Sequence, residues 1–435
     1  MRTMKDSGIE WIGKIPEGWE LRRIKTNFDI IAGATPKSGE ASFWDGDIPW
    51  ITPADYTTEG VYVSAGHKSI TQDGLNSCAT SLIPKGSIIF SKRAPVGLVA
   101  INSNPLCTNQ GCLSCVPKDS VDAKYYYYVM SIYGEQFDLF ASGTTFKEIS
   151  ADAFANFKLP YPDYETQKRI TSFLDAKCAE IDALIATKEK TNSLLKERRQ
   201  SIIYEAVTKG LDPTVPMKGS GVEWIGEIPE GWSTRRVKHL ATEADTLFLD
   251  GDWINSDVIT DQGVRYLTSG NVGEGSFKEQ GSGRISEETF GKLNYLKALP
   301  GDLMICRLNL PLGRCCIIPP EEPYYVVAVD NVILRPDSNM DKRYLMYCMN
   351  TPGYAASAFM AASGTTMQRI SRTDLGNLNV PIAPFDKQIE IADYLDVQCR
   401  EIDSVIISID LTVQKLKEYR RSLIYEAVTG KIEID

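Results

Sequence analysis

Residues 165–208 read ETQKRITSFLDAKCAEIDALIATKEKTNSLLKERRQSIIYEAVT. Residues 386–429 read DKQIEIADYLDVQCREIDSVIISIDLTVQKLKEYRRSLIYEAVT and align with the first stretch at an offset of 221. Both stretches end in the same six residues, IYEAVT, at 203–208 and 424–429. A repeat of this length at the end of each half predicts that the chain is two copies of one unit.

Both repeated stretches are predicted to be long helices. Neither contains Pro or Gly, and both are rich in Ala, Leu, Glu, Lys and Arg, which favour helices. Apolar residues recur in alternating steps of three and four, which is the seven-residue period of helices that pair lengthwise. The seam positions are Ile181, Ile185, Leu195 and Ile202 in the first stretch and Ile402, Ile406, Ile409, Val413, Leu416 and Leu423 in the second.

Polar residues interrupt the first seam at Lys188, Asn192 and Arg199. One interpretation is an ordinary amphipathic helix with a few polar positions. The interpretation that we favour is that the two helices pair with each other, and that the polar seam residues fix orientation and register.

The segment that joins the halves, residues 210–219, is too short to run back along such a helix. A helix of about 40 residues is roughly 60 Å long, whereas a ten-residue segment spans at most about 35 Å. The second half must therefore begin near the far end of the first helix. We expect the helices to run antiparallel, with an internal pseudo-two-fold repeat.

A second repeat opens each half. Residues 7–25 read SGIEWIGKIPEGWELRRIK and residues 220–238 read SGVEWIGEIPEGWSTRRVK, with 14 of 19 positions identical. Ile-Pro-Glu-Gly between two Trp residues is typical of a turn. We expect a Trp-anchored loop that packs against the end of a long helix.

The regions between the repeats differ more, and short apolar runs such as 87–90 and 96–101 predict strands there. The four Tyr residues at 125–128 are interpreted as core packing rather than a base-stacking platform. The expected class is α+β, with two mixed α/β domains separated by a pair of long antiparallel, coiled-coil-like helices. The expected boundaries are 1–164 for the first domain, 165–209 for the central helix, 210–385 for the linker and second domain, and 386–435 for the C-terminal helix and tail.

Composition narrows the function classes. The chain has 435 residues, 43% hydrophobic and 24% charged, and lacks an apolar run long enough for a membrane span, so we expect a cytoplasmic globular protein. Ten Cys and two His lack ligand spacing, and therefore no metal site is expected. The net charge of −10 argues against a protein that coats nucleic acid unspecifically, but it permits a sequence reader with a few local cations.

Catalytic constellations are not found in the sequence. There is no adenine-methyltransferase motif, no Gly-rich cofactor turn after a clear strand, no nuclease carboxylate pair that repeats in both halves and no triad. We therefore expect a non-catalytic chain without a cofactor.

The repeated parts together resemble the specificity subunit of type I restriction-modification enzymes, over the whole chain. The resemblance lies in the two variable domains, the two long helices with their Glu-Ile-Asp core, and two further pairs of motifs. These are the Gly-Thr-Thr stretches at 143–145 and 364–366, and the helix entries Pro160/Gln167/Ile170 and Pro381/Gln388/Ile391.

The resemblance implies a division of labour. Each variable domain is a target recognition domain that reads one half of a split DNA sequence, and the helices are the spacer that sets the gap. Two methyltransferase subunits dock on the helices and domains, and nuclease-translocase subunits join the full complex. Because the two domains differ in sequence, the target is expected to be asymmetric.

Candidate DNA contacts follow from position and residue type. Cations that follow a strand and precede a Gly/Pro loop can reach guanine edges or phosphates, and hydroxyls or amides in a polar loop suit phosphates or adenine. The candidates are Lys92, Arg93, Thr144, Thr145 and Lys147 in the first half and Arg307, Arg314, Thr365, Thr366, Gln368 and Arg369 in the second.

Two other functions remain open from the sequence. One is a coiled-coil scaffold or adaptor without direct base readout, for which loss of a candidate cation would leave DNA affinity unchanged. The other is an autonomous methyltransferase or nuclease, which would bind S-adenosylmethionine as an isolated chain.

Overall fold

The computed structural model describes residues 2–56, 60–93, 95–143, 147–281, 283–364 and 367–434. The chain divides into two compact units. The first unit combines Met1–Glu189 with Leu411–Asp435, and the second unit is Lys190–Asp410. Each unit therefore contains one variable region, the N-terminal part of the helix that follows it, and the C-terminal part of the other long helix.

The first unit is built from short strands and helices between the N-terminus and the first long helix. Its strands are β1 (Met4–Asp6), β2 (Lys14–Pro16), β3 (Glu20–Arg23), β4 (Phe28–Ala32), β5 (Trp44–Ile51), β6 (Tyr62–Val63), β7 (Lys68–Ile70), β8 (Ile88–Ser91), β9 (Val99–Asn102), β10 (Cys107–Thr108), β11 (Cys112–Pro117) and β12 (Lys158–Tyr161). Its helices are α1 (Ile24–Asn27), α2 (Gln72–Asn76), α3 (Ala123–Ile132), α4 (Gly134–Leu139), α5 (Ala151–Asn156) and the N-terminal part of α6 (Tyr164–Lys209), with 3-10 turns at Ala41–Phe43 and Pro53–Asp55.

The second unit repeats this order. Its strands are β13 (Met217–Gly219), β14 (Glu227–Pro229), β15 (Ser233–Arg236), β16 (Leu247–Asp250), β17 (Ile259–Thr260), β18 (Val264–Leu267), β19 (Arg284–Ile285), β20 (Leu303–Cys306), β21 (Cys315–Ile317), β22 (Val326–Val327), β23 (Asn331–Arg335) and β24 (Asn379–Ile382). Its helices are α7 (Glu287–Leu293), α8 (Lys342–Met349), α9 (Pro352–Met360), α10 (Arg372–Asn377) and the N-terminal part of α11 (Phe385–Val428), with 3-10 turns at Val237–His239, Ser256–Val258 and Ser269–Asn271.

The sheets of the two units correspond. The main sheet has the order β4-β11-β8-β9-β6 in the first unit and β16-β23-β20-β21 in the second, and its matching pairs are antiparallel. The second sheet has the order β10-β5-β7 in one unit and β17-β19-β18-β22 in the other, and each contains one parallel pair, β10 with β5 and β18 with β22. The expected α+β class is confirmed, and the internal repeat extends to strand order.

Apolar burial explains why these regions are compact. The central strands β8 and β20 are buried along their whole length, so both faces of the main sheet are covered. Tyr125 and Tyr126 are fully buried, and Tyr127 and Tyr128 are nearly so, as expected for core packing. Within the described ranges, no helix has the length and apolar character that crossing a membrane requires.

The two long helices lie side by side in each unit. In the first unit Asp182 pairs with Arg420 at 2.9 Å, and in the second unit Arg199 pairs with Asp403 at 2.9 Å. Glu189 pairs with Lys417 in the first unit and Asn192 bonds to Asp410 in the second, so within each unit rising residue numbers on one helix meet falling numbers on the other, and the segments are antiparallel. Asn192, which interrupts the seam, donates to Asp410 at 2.6 Å.

The seam positions face inward to different degrees. Some seam residues are buried and others are partly exposed, as in a narrow two-helix contact. The buried members are Ile181, Ile185, Ile409, Val413 and Leu423, and the partly buried members are Leu195, Ile202, Ile402, Ile406 and Leu416.

The shared motifs join each variable region to the long helices. In the first unit the hydroxyl of Tyr125 donates to Val428 O at 3.0 Å, and the hydroxyl of Tyr425 donates to Ile12 O at 3.0 Å. The second unit makes the matching bonds from Tyr344 to Val207 O and from Tyr204 to Ile225 O. The IYEAVT end of each helix thus belongs to the Trp-anchored loop of the other half of the sequence.

The glutamine at each helix entry has a structural role. Gln167 is fully buried, and its side-chain oxygen accepts from Asp122 N at 2.9 Å while its nitrogen donates to Pro162 O. Gln388 makes the same two bonds, to Asp341 N and Ala383 O. Because a buried amide needs partners for both ends, only Gln at this position fixes the helix to the domain in this way.

Candidate nucleic-acid interface

In the first unit the structure brings together the two stretches that the sequence singled out. Strand β8 ends at Ser91, and Lys92 and Arg93 follow directly. Ser142 and Glu148 form an antiparallel bridge with reciprocal backbone bonds of 3.0 Å, and Glu148 also bridges to Arg93. Ile149 N donates to Lys92 O at 3.0 Å. The strand end and the described ends of the polar loop therefore form one surface, which we call the first patch (residues 92–93, 142–143 and 147–149).

The second unit repeats this arrangement. Ser363 and Arg369 form the antiparallel bridge with reciprocal bonds of 3.0 Å, and Leu308 bridges to Arg369. Ile370 N donates to Arg307 O at 3.0 Å. We call this surface the second patch (residues 307–314, 363–364 and 367–372). Two loops with the same backbone bonds thus carry different side chains.

Carboxylates hold the cations of the first patch. Lys92 Nζ lies 2.8 Å from Glu148 Oε1, and Arg93 Nη1 lies 3.9 Å from Glu148 Oε2. Lys147 pairs with Asp138 at 2.5 Å. These ion pairs are partly exposed, so they orient the cationic side chains more than they stabilise the fold.

Arg307 differs from the other candidates because it is buried, with its side chain 7% exposed. Its guanidinium lies 2.9 Å from Asp250 and donates to Val329 O and Ile370 O. Burial lowers the pKa of Arg307, and the Asp250 carboxylate opposes that shift. This geometry ties three loops together and leaves little of the guanidinium for a ligand, so Arg307 is a positioning residue in this structure.

Arg314 is likewise committed to the protein. Its guanidinium donates to the carbonyl oxygens of Val272, Asn309, Pro311 and Ser269, at 2.8 to 3.4 Å. A guanidinium that satisfies four carbonyls stabilises the surrounding turns. In this structure these bonds fix the backbone around the second patch.

The remaining candidates divide into two groups. Arg369 is 44% exposed and pairs with Asp330 at 3.1 Å, and Gln368 lies beside it with its carbonyl accepting from Asn309 N at 3.3 Å. Both side chains border the surface of the second patch. The candidates Thr144, Thr145, Thr365 and Thr366 lie outside the described residues.

Sequence reasoning missed the acidic partners and one cation. Asp250 and Asp330 hold Arg307 and Arg369, and Arg372 lies 3.6 Å from Asp250. Asp250 is distant in sequence from its partners, and only the fold brings them together. Glu148, in contrast, could have been found, because the repeat alignment places it opposite Arg369.

Among the described residues, no group of three or more His, Cys, Asp or Glu side chains is arranged to hold an ion. Nine of the ten free cysteines are buried. Burial raises the pKa of the Cys107 thiol to about 11, which keeps it protonated and a weak ligand at neutral pH.

Comparisons with known proteins are consistent with the family resemblance. Residues 16–196 match the family described as the type I restriction modification DNA specificity domain. The chain is 28% identical over 436 aligned residues to the type I restriction enzyme MjaIX specificity subunit of Methanocaldococcus jannaschii, covering 98% of this chain and 96% of that one. It is 22% identical to the type I restriction enzyme EcoKI specificity subunit of Escherichia coli K12, covering 97% and 90%.

Solved structures share the fold. A chain from a study of complex assembly and conformational transition of the type I R-M system superposes with a TM-score of 0.73 at 16% identity, covering 96% of this chain and 99% of that one. The HsdS subunit from Thermoanaerobacter tengcongensis superposes with a TM-score of 0.52 at 16% identity, covering 96% and 98%.

Proposed function

We propose that this chain is a type I restriction-modification specificity subunit and that it reads an asymmetric bipartite DNA target, one half with each unit. The relatives are named specificity subunits, and we propose that this chain likewise supplies DNA specificity rather than catalysis to such a complex. Methylation and cleavage are then the work of partner subunits.

One observation carries the proposal of two half-sites. The two patches have the same backbone frame but different side chains. Two equal frames suit two equivalent positions on a duplex, and unequal side chains suit two different base sequences. The cations available at each surface are Lys92, Arg93 and Lys147 in the first unit and Arg369 and Arg372 in the second.

We further propose that the paired helices set the gap between the half-sites and dock two methyltransferase subunits. Both helices are continuous over more than 40 residues. Ion pairs join them along the seam. Apolar side chains are also exposed on the helices, as expected for a surface that a partner covers. These are Leu184, Leu411 and Tyr419 in the first unit and Leu194, Phe385, Ile389, Tyr394, Val397, Val405 and Ile407 in the second.

The decisive experiment is methylation sequencing of DNA from cells with and without this chain, in the presence of its partner subunits. We expect a methylated sequence with two specified half-sites separated by unspecified bases. A continuous target, or no target that depends on this chain, would refute bipartite reading. The nuclease-translocase subunits are expected to join the same complex, which size-exclusion chromatography of the co-expressed subunits tests.

The scaffold alternative makes a different prediction for single cations. If the chain only holds partners together, alanine at Lys92 or Arg369 leaves the DNA affinity of the assembled complex unchanged. If either residue contacts a base, its loss is expected to weaken binding by about 1–3 kcal/mol. Titration of the complex with a fluorescent duplex at fixed salt separates the two.

A further inference from the structure

The position that bears Glu148 in the first unit and Arg369 in the second is the same place in two copies of one loop. Each residue forms the antiparallel bridge with the serine six positions earlier, Ser142 or Ser363, through two bonds of 3.0 Å. The next residue, Ile149 or Ile370, donates from its backbone to Lys92 O or Arg307 O, at 3.0 Å in both cases. The backbone therefore presents the side chain identically in both units.

The side chains at this position are opposite in charge. Glu148 is 40% exposed and Arg369 is 44% exposed, so each reaches the surface to a similar extent. Neither charged side chain is needed for core packing, because the residues that enter the core here are the neighbouring Ile149 and Ile370, both fully buried. The two loops share their backbone hydrogen bonds and differ in the charge of this exposed side chain. The side chain is therefore what distinguishes the two loops.

Each side chain is also held in direction by a neighbour of opposite charge. Glu148 lies between Lys92 and Arg93, and Arg369 lies against Asp330. A group that is oriented before binding loses less conformational entropy when it meets a ligand. Such preorganisation suits recognition of a base edge, which demands direction, more than a loose contact with phosphate.

We propose that this position is a base-discriminating position of each unit, with Arg369 selecting guanine and Glu148 selecting cytosine on the contacted strand. The proposal rests on the proposed DNA-reading function. A guanidinium donates two parallel bonds to O6 and N7 of guanine in the major groove, whereas a carboxylate accepts from the N4 amino group of cytosine. The equivalent position would then read a G·C pair in the half-site of the second unit and a C·G pair in the half-site of the first unit.

The test exchanges the two side chains within the full-length chain, assembled with its methyltransferase subunits. Glu148→Arg and Arg369→Glu are each offered a duplex library randomised across both half-sites, and the bound fraction is sequenced. We expect Glu148→Arg to change the preference at one base pair from cytosine to guanine by about 10- to 100-fold, and Arg369→Glu to do the reverse in the other half-site. The half-site read by the unaltered unit should not change.

Charge reversal beside Lys92 and Arg93 can disturb the loop, so a second pair of variants replaces each charged group with a neutral amide. Glu148→Gln and Arg369→Gln are both expected to shift the same base pair towards adenine, because an amide bonds both N6 and N7 of that base. Lys196→Glu, on an exposed part of the long helix, is the control and should leave both half-sites unchanged.

The outcomes separate the inference from the function on which it rests. Uniform weakening across all sequences, with preferences unchanged in all four variants, would mean that Glu148 and Arg369 only orient their neighbours, and it would overturn the proposal. A wild-type complex that enriches no pair of half-sites would instead overturn the proposed function.

Discussion

Arg307 and Arg369 lie in the same patch but have different physical roles. Arg307 is buried and bound to Asp250 and two carbonyls, whereas Arg369 is exposed on one side and has a single carboxylate partner. Both are arginines beside a Gly-containing loop in sequence, and the sequence alone does not separate their roles. Their difference arises from Asp250, which reaches Arg307 only in the folded chain.

Truncation of the two arginines is expected to lower the stability of the chain by different amounts. Arg307→Ala leaves Asp250 without its buried partner, so we expect the free energy of unfolding to fall by on the order of 3 kcal/mol. Arg369→Ala removes a partly exposed ion pair, and the expected loss of stability is below about 1 kcal/mol. Urea unfolding of both variants measures this. Equal loss of stability would contradict the assignment of Arg307 as a positioning residue.

Whole elements were more predictable than individual contacts. The helices α6 and α11 could be predicted from the sequence because their signals are local. These signals are the repeat that ends in IYEAVT, the absence of Pro and Gly, and the seven-residue period. The strands near 88 and 99 were likewise predictable from their apolar runs. The short strands β17, β19 and β22 were not, since two-residue strands depend on pairing with distant partners rather than on their own composition.

The helix seam gives a prediction about register. Arg199 and Asp403 in the second unit, and Arg420 and Asp182 in the first, are related by the 221-residue repeat. We expect a double-mutant cycle on Arg199 and Asp403, each changed to Ala, to give a coupling free energy of about 1 kcal/mol, since Arg199 is mostly buried. The Lys417–Glu189 pair is exposed on both sides and is the matched control, with coupling close to zero.

The tyrosine hydrogen bonds that join each variable region to a long helix, which we call the joints, give a second prediction. The Tyr344 hydroxyl is buried and donates to Val207 O or Pro381 O, so Tyr344→Phe leaves those acceptors without this donor. The expected cost is about 1–2 kcal/mol, and amide hydrogen exchange should quicken at the IYEAVT end of α6. Tyr125→Phe, its counterpart in the first unit, should quicken exchange at the end of α11 instead. Faster exchange at the same helix end in both variants would contradict the assignment of the joints.

At the scale of the whole molecule, the two units differ in continuity along the chain. The second unit is the unbroken segment 190–410, whereas the first needs both 1–189 and 411–435. We expect the fragment 190–410 to fold alone with cooperative thermal unfolding. The fragment 1–189 lacks Tyr425 and Val428, which close its core, and we expect it to be unfolded or aggregated. Circular dichroism during heating distinguishes the two fragments. A fragment 190–410 without a cooperative unfolding transition would refute the idea that the second unit folds autonomously.

The proposed ruler is also a property of the whole molecule. Insertion of four residues after Asn192 and four after Asp410, which face each other in the seam, lengthens both helices by about 6 Å. The recognised gap should then grow by nearly two base pairs, at roughly 3.4 Å per base pair. Methylation sequencing with the lengthened chain measures the gap, and an unchanged spacing would rule out the helices as the spacer.

The joints have a consequence for heredity. Since the tyrosine and glutamine bonds that fix a variable region to its helices are the same in both halves, a crossover between related genes within the repeated segments would deliver a foreign variable region already fitted to its support. Under the proposed function, we expect such a crossover to give a lineage a new inherited methylation mark in a single recombination event, without a period in which the assembly fails to form.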